Sequence, residues 1–283
     1  MKITYMTLAL VAIVLVAVTG YLAGTAFLSS TPATVVEIRV FAASSLIHVI
    51  EDSKAEFEAA NNCKIIVNSG GSNALYQQIT AGSPCDVFLS ADFKWTKQLA
   101  AVNLTVGKYQ NFTTNTLTVL MPQDNQKNIT SLLDLIKPDV KIIIADTSVP
   151  VGAYTNTTLT KIDATYGNPS SPQYLGAEWE SYRAKFLLNV VSYEATVEDV
   201  VGKVSLNLGT CDAGVAFISD ATYSEMSGAQ LKYILVPSAL NTRGTYGVAV
   251  ISGTDNPDLA AKYMEYWLSS EGQTALQTYG FGA

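Results

Sequence analysis

Between residues 35 and about 101 the chain switches three times between two hydrophobic periods. The run "VVEIRVFA" alternates and is rich in β-branched residues, as a half-buried strand is; Leu46, Val49, Ile50 and Phe57 then recur at helical spacing. "KIIVNS" is a second strand, ahead of a helix carrying Leu75 and Ile79. "CDVFLSAD" is a third, ahead of a helix carrying Trp95 and Leu99. A β-α-β-α-β-α order with connections this short leaves few topologies: the sheet is mainly parallel, with helices on both faces. The chain is read as an α/β protein.

Past Asn115 the pattern restarts. "TLTVLMP" is a strand, "SLLDLI" a short helix, and "VKIIIAD" a strand that empties into "TSVPVGAYT" before a further helix. "TVEDV" announces a helix from about Val197 to Leu208, because Thr196 and Asp199 form a variant of the capping box and acidic residues occupy the first turn. "AGVAFIS", "KYILVP" and "YGVAVIS" read as strands, and the tail closes with helices through "PDLAAKYMEYWLSS" and "EGQTALQTY". With 283 residues and 48% hydrophobic content, the chain has enough apolar mass for about two globular units.

The first 36 residues form a separate segment. After Lys2 no charge occurs until Glu37, and Met6 to Leu28 is apolar and long enough to cross a hydrocarbon layer of about 30 Å. Two readings stand: an uncleaved membrane anchor, or a signal peptide with "LAGTA" as its cleavage region. Lys2 on the near side places everything after residue 36 outside the cytoplasm. "SSTPAT" is a short linker to the folded body.

Twice within thirty residues a strand runs through serine into a helix, in "FAASSL" and in "GGSNAL". A helix N-terminus carries unsatisfied N–H groups and about half a positive charge, so two that open on one sheet edge can share an anion. Ser45 and Ser72 would donate hydroxyl and backbone hydrogens to it, with Ser44 beside them, while Gly70 and Gly71 allow close approach. The plainer alternative is that each serine merely caps its own helix.

Composition removes several other functions. A net charge of −7 with 17 Lys plus Arg provides no basic surface for nucleic acid. Cys63, Cys85 and Cys211 lack metal-site spacing and are expected as buried thiols; with a single histidine, zinc is unsupported, and no P-loop occurs. No cofactor is expected. "GGSNA" approximates the nucleophile elbow G-x-S-x-G, making a serine hydrolase the enzyme alternative, but His48 precedes Ser72 where that fold's order requires it to follow. A surface-anchored structural module that binds no small anion is the third reading.

The ordered set "VFAASSL", "GGSNALYQQITAGSPCDVFLSADFKW", "VPVGAYT", "VEDVVGKV", "GVAFISDA" and "YWLSSEGQTALQTYGF" resembles the periplasmic molybdate-binding proteins of ABC importers, from about Arg39 to the C-terminus. The resemblance implies a two-lobed type II periplasmic binding protein fold, with residues 37–115 and 219–283 as lobe I and 116–218 as lobe II. It implies a monomer that closes on molybdate or tungstate, or on another tetrahedral oxyanion such as sulfate. Such a protein hands its ligand to a membrane permease with its cytoplasmic ATPase. The family's contact positions fall on Ser45 and Ser72 and on the backbone of Val151 and Val200. A tyrosine common in the family is replaced here by Phe217, which has no donor, leaving Tyr154 or an ordered water as the substitute.

Overall fold

A computed structural model describes residues 35–229 and 231–282. The apolar run read as a signal or anchor lies outside the described residues. Among the described residues no helix is long and apolar enough to cross a membrane.

Two five-stranded sheets make up the body. The first holds β1 (Val36–Ala43), β2 (Cys63–Gly70), β3 (Val87–Ser90), β4 (Thr105–Asn115) and β10 (Gly244–Ile251), in the order β2-β1-β3-β10-β4. Its helices are α1 (Ile47–Asn61), α2 (Ser72–Thr80), α3 (Phe93–Ala101), α8 (Pro257–Leu268) and α9 (Ser270–Thr278). The side-chain period of a strand is two, and here both phases are apolar. Val40, Ala42, Val87 and Leu89 join one core with Leu46, Val49, Ile50 and Phe57. Phe41 and Phe88 face the opposite way, against Leu75, Ile79 and Leu99. Both faces are therefore covered by helices, and near-continuous apolar strands are what that demands.

The second sheet holds β5 (Leu117–Met121), β6 (Ile142–Ala145), β7 (Val190–Glu194), β8 (Ala213–Phe217) and β9 (Lys232–Leu235), in the order β7-β6-β8-β5-β9. Around it lie α4 (Pro150–Thr165), α5 (Tyr182–Leu188), α6 (Val197–Leu206) and α7 (Ile218–Ser227). Its core is separate from those of the first sheet and runs from Leu117 to Leu240. Each sheet with its own core is one lobe.

One reversed strand in each mainly parallel sheet makes it mixed: β1 with β3, and β6 with β7 and β8, are parallel, while β10 with β3 and β4, and β5 with β8 and β9, are antiparallel. A crossing between lobes delivers the chain at the edge facing the cleft, so the strand after each crossing, β5 or β10, runs away from that edge and against β8 or β3. The boundary at residue 219 also moves. β9 pairs with β5, Val119 opposite Ile234, and Leu231, Val236 and Leu240 belong to the second core. The return crossing therefore falls between Leu240 and Gly244, beside the outward one between Asn115 and Leu117. Asn241 joins the two: its Oδ1 accepts from Leu117 N at 3.0 Å and its Nδ2 donates to Leu117 O at 2.8 Å.

Candidate functional site

The carboxyl ends of the parallel strands of both lobes face one another, and helices begin there. From the first lobe come Ala43, Ser44 and Ser45, on a single 3-10 turn leading into α1, then Gly70, Gly71 and Ser72 at the start of α2, and Ala91 after β3. From the second come Val149, Pro150 and Val151 at the start of α4, Val197 at the start of α6, and Phe217 ahead of α7. Together they line one cavity. Its volume is about 10 Å³. That is smaller than the roughly 300–1,000 Å³ of pockets for drug-sized ligands. Its lining contains no charged side chain.

Neither serine is a plain cap. No side-chain capping bond is made at the 3-10 turn or at α2, where Gly71 is the N-cap and Leu75 N donates to its carbonyl at 3.0 Å. Ser72, fully buried, instead accepts Ala91 N–H on Oγ at 3.0 Å. That bond does not use the hydroxyl's own proton. Ser45 Oγ lies 2.9 Å from the Tyr246 hydroxyl.

On the second-lobe side the donors are backbone. Pro150 occupies the first turn of α4, where its missing N–H costs nothing. Ala153 N donates to Val149 O, so the N–H groups of Val151 and Gly152 precede the first intrahelical bond. Gly152 is required at this place: a Cβ there would stand 2.1 Å from Asp146 O and 2.4 Å from Ala145 O. At α6, Thr196 Oγ1 accepts Asp199 N–H at 3.0 Å, which leaves Val197 and Glu198 as the amides without an intrahelical acceptor.

Of the residues singled out in the sequence, Ser44, Ser45, Ser72, Val151 and Phe217 line the cavity. Val200 does not. It is fully buried a turn further along α6, against the place a side chain on Gly214 would fill, and the fourth helical N–H is already bonded inside the helix. Val197, directly after the Thr196 cap, is the residue of α6 that lines the cavity. Tyr154 also lies outside the lining. Its hydroxyl donates to Ala91 O at 3.1 Å, from the second lobe to the first, and burial pushes its pKa far up.

Further contacts cross the cleft: Asn73 Nδ2 donates to Ser148 Oγ at 3.1 Å, and a Cβ on Gly71 would stand 3.0 Å from Ala195 O. The lobes are closed on each other. Behind Phe217, Asp220 Oδ2 accepts the Phe217 N–H at 2.9 Å. Burial, aided by the Glu198 charge and opposed by that N–H, pushes its carboxyl up to about 7. Elsewhere, His48 stacks on Tyr223 with ring centroids 3.5 Å apart, and the three cysteines are buried free thiols. Among the described residues no group of His, Cys, Asp and Glu could hold a metal ion.

Two α/β lobes shut on a small pocket form the periplasmic-binding-protein fold, and comparison with known proteins narrows the class. The family model for bacterial extracellular solute-binding proteins matches residues 38–282, and the chain belongs to that family. It is 30% identical over 245 residues to the molybdate-binding protein ModA of Mycobacterium tuberculosis, covering 86% of this chain and 84% of that one. The periplasmic molybdate-binding protein of Azotobacter vinelandii superposes with a TM-score of 0.71 at 16% identity, over 86% of this chain and 98% of that one. The sulfate-binding protein SubI of M. tuberculosis superposes at 0.73 and 13% identity, over 87% and 86%. Membership places the protein among solute binders rather than enzymes, which removes the hydrolase reading of Ser72.

Proposed function

We propose that the cavity is a receptor site for a tetrahedral oxyanion, molybdate or tungstate, with Ser45, Ser72 and the Val151 and Val197 amides as its donors. The observation that carries this reading is the meeting of helix starts from both lobes on one small cavity with serine hydroxyls and no lysine or arginine. Helix N-termini attract anions without a formal cation, which suits a chain of net charge −7. The hydroxyls and amides offer only part of the donor set from either lobe, so the anion is fully satisfied only when the lobes are shut, and closure reports occupancy. Sulfate carries the same charge and oxygen count as molybdate, so discrimination rests on cavity size. The names of the relatives support this ligand class and support delivery to an ABC importer. We infer a monomer that works outside the cytoplasm, held at the membrane if its leader is retained.

Isothermal titration of the purified protein with molybdate, tungstate and sulfate tests the reading. Saturable one-to-one heat with molybdate or tungstate, and weaker heat with sulfate, is the expected result. No heat with any of the three overturns it.

A further inference from the structure

Ser45 serves the anion only if its proton points into the cavity, and the 2.9 Å contact with the Tyr246 hydroxyl does not by itself settle which oxygen donates. A third residue favours one direction. Asn115, fully buried at the end of β4, has its amide orientation fixed: Thr116 N, which can only donate, meets Oδ1 at 3.0 Å. Its Nδ2, which also can only donate, therefore faces Ser219 Oγ at 2.8 Å and the Tyr246 hydroxyl at 3.4 Å. With the Asn115 amide facing the Tyr246 oxygen, a phenol proton turned to Ser45 Oγ gives both hydroxyls a use and leaves the Ser45 proton for the cavity.

We propose that Tyr246, oriented by Asn115, is a positioning residue that makes Ser45 a donor to the bound anion. The direction of every bond is then the same, from Asn115 to Tyr246 to Ser45 to the ligand, and bonds aligned in this way polarise one another. Tyr246 is fully buried on β10, and its ring meets the edges of Phe112, Phe217 and Phe281 at centroid distances of 6.3, 6.0 and 5.5 Å, none of which offers another acceptor. Burial raises its pKa, against the Ser45 and Asn115 contacts that lower it, so the hydroxyl stays protonated. Ser72 receives the equivalent service from the Ala91 backbone, which fixes its direction without a side chain. The inference rests on the oxyanion reading of the site.

A double-mutant cycle with molybdate as probe, followed by calorimetry, separates this role from simple packing. Y246F is expected to weaken binding about 3- to 10-fold in the wild-type background and in S72A, and to have no further effect in S45A. N115L, which removes the orienting donor but leaves both hydroxyls, gives a second route: it should weaken binding severalfold when Ser45 is present and not when it is absent. In the Raman spectrum of wild type minus Y246F, the tyrosine doublet should have the intensity ratio of a donating hydroxyl. Equal losses with and without Ser45, or no loss in Y246F, overturn the proposal while leaving the oxyanion site intact. If wild-type protein binds none of the oxyanions, or S45A binds as wild type, the underlying reading falls and the proposal falls with it.

Discussion

Ser45→Ala and Ser72→Ala each delete one donor to a dianion, and hydrogen bonds to charged groups contribute about 1.5–3 kcal/mol. Each variant should therefore lose roughly tenfold to a hundredfold in affinity for molybdate by calorimetry. Folding should survive, since neither side chain caps its helix. Asp220 brings a pH dependence. Its folded pKa is raised to about 7, so its contribution to stability is full below the unfolded value near 3.9 and is lost as pH rises through 7. The same ionisation puts a negative charge behind Phe217, beside the site, and should weaken anion binding over that range. Titrations at about pH 6 and pH 8 should show tighter binding at the lower pH, and Asp220→Asn should flatten the difference.

The start of α4 depends on the absence of a side chain at 152. Gly152→Ala drives a Cβ into the Asp146 and Ala145 carbonyls, and overpacking of this kind costs about 1–3 kcal/mol. A lowered Tm in thermal denaturation, together with weaker molybdate binding because the Val151 amide shifts, is the expected outcome. β1 to β3 and their helices were legible because their hydrophobic period changes within a few residues, a purely local signal. That Ser45 and Ser72 each sit where strand becomes helix was legible in the same local way; that both line one cavity needs the fold. β10 was read as a strand, but its insertion between β3 and β4 was not, since pairing across some 160 residues leaves no trace in a local period. Val200 is buried a turn beyond the cavity lining, and the Thr196 cap marks Val197 as the residue of that helix that lines it. Tyr246 and Asn115 carried no mark at all; only the tertiary structure brings them to Ser45.

Closure itself can be weighed through groups that touch only across the cleft. Tyr154→Phe removes the bond to Ala91 O, worth about 0.5–1.5 kcal/mol, so molybdate affinity should fall about 2- to 10-fold. Gly71→Ala puts a methyl against Ala195 O and should impede shutting. Small-angle scattering should then show less molybdate-induced compaction than in wild type. The placement of β10 reaches beyond ligand binding. β3 and β4 have no neighbour on their facing edges until residues 244–251 arrive to fill the gap, so the first lobe cannot mature while those residues are still being made. A nascent chain of this design stays pliable until nearly all of it has been synthesised, a property compatible with being threaded through a narrow pore before it acquires shape.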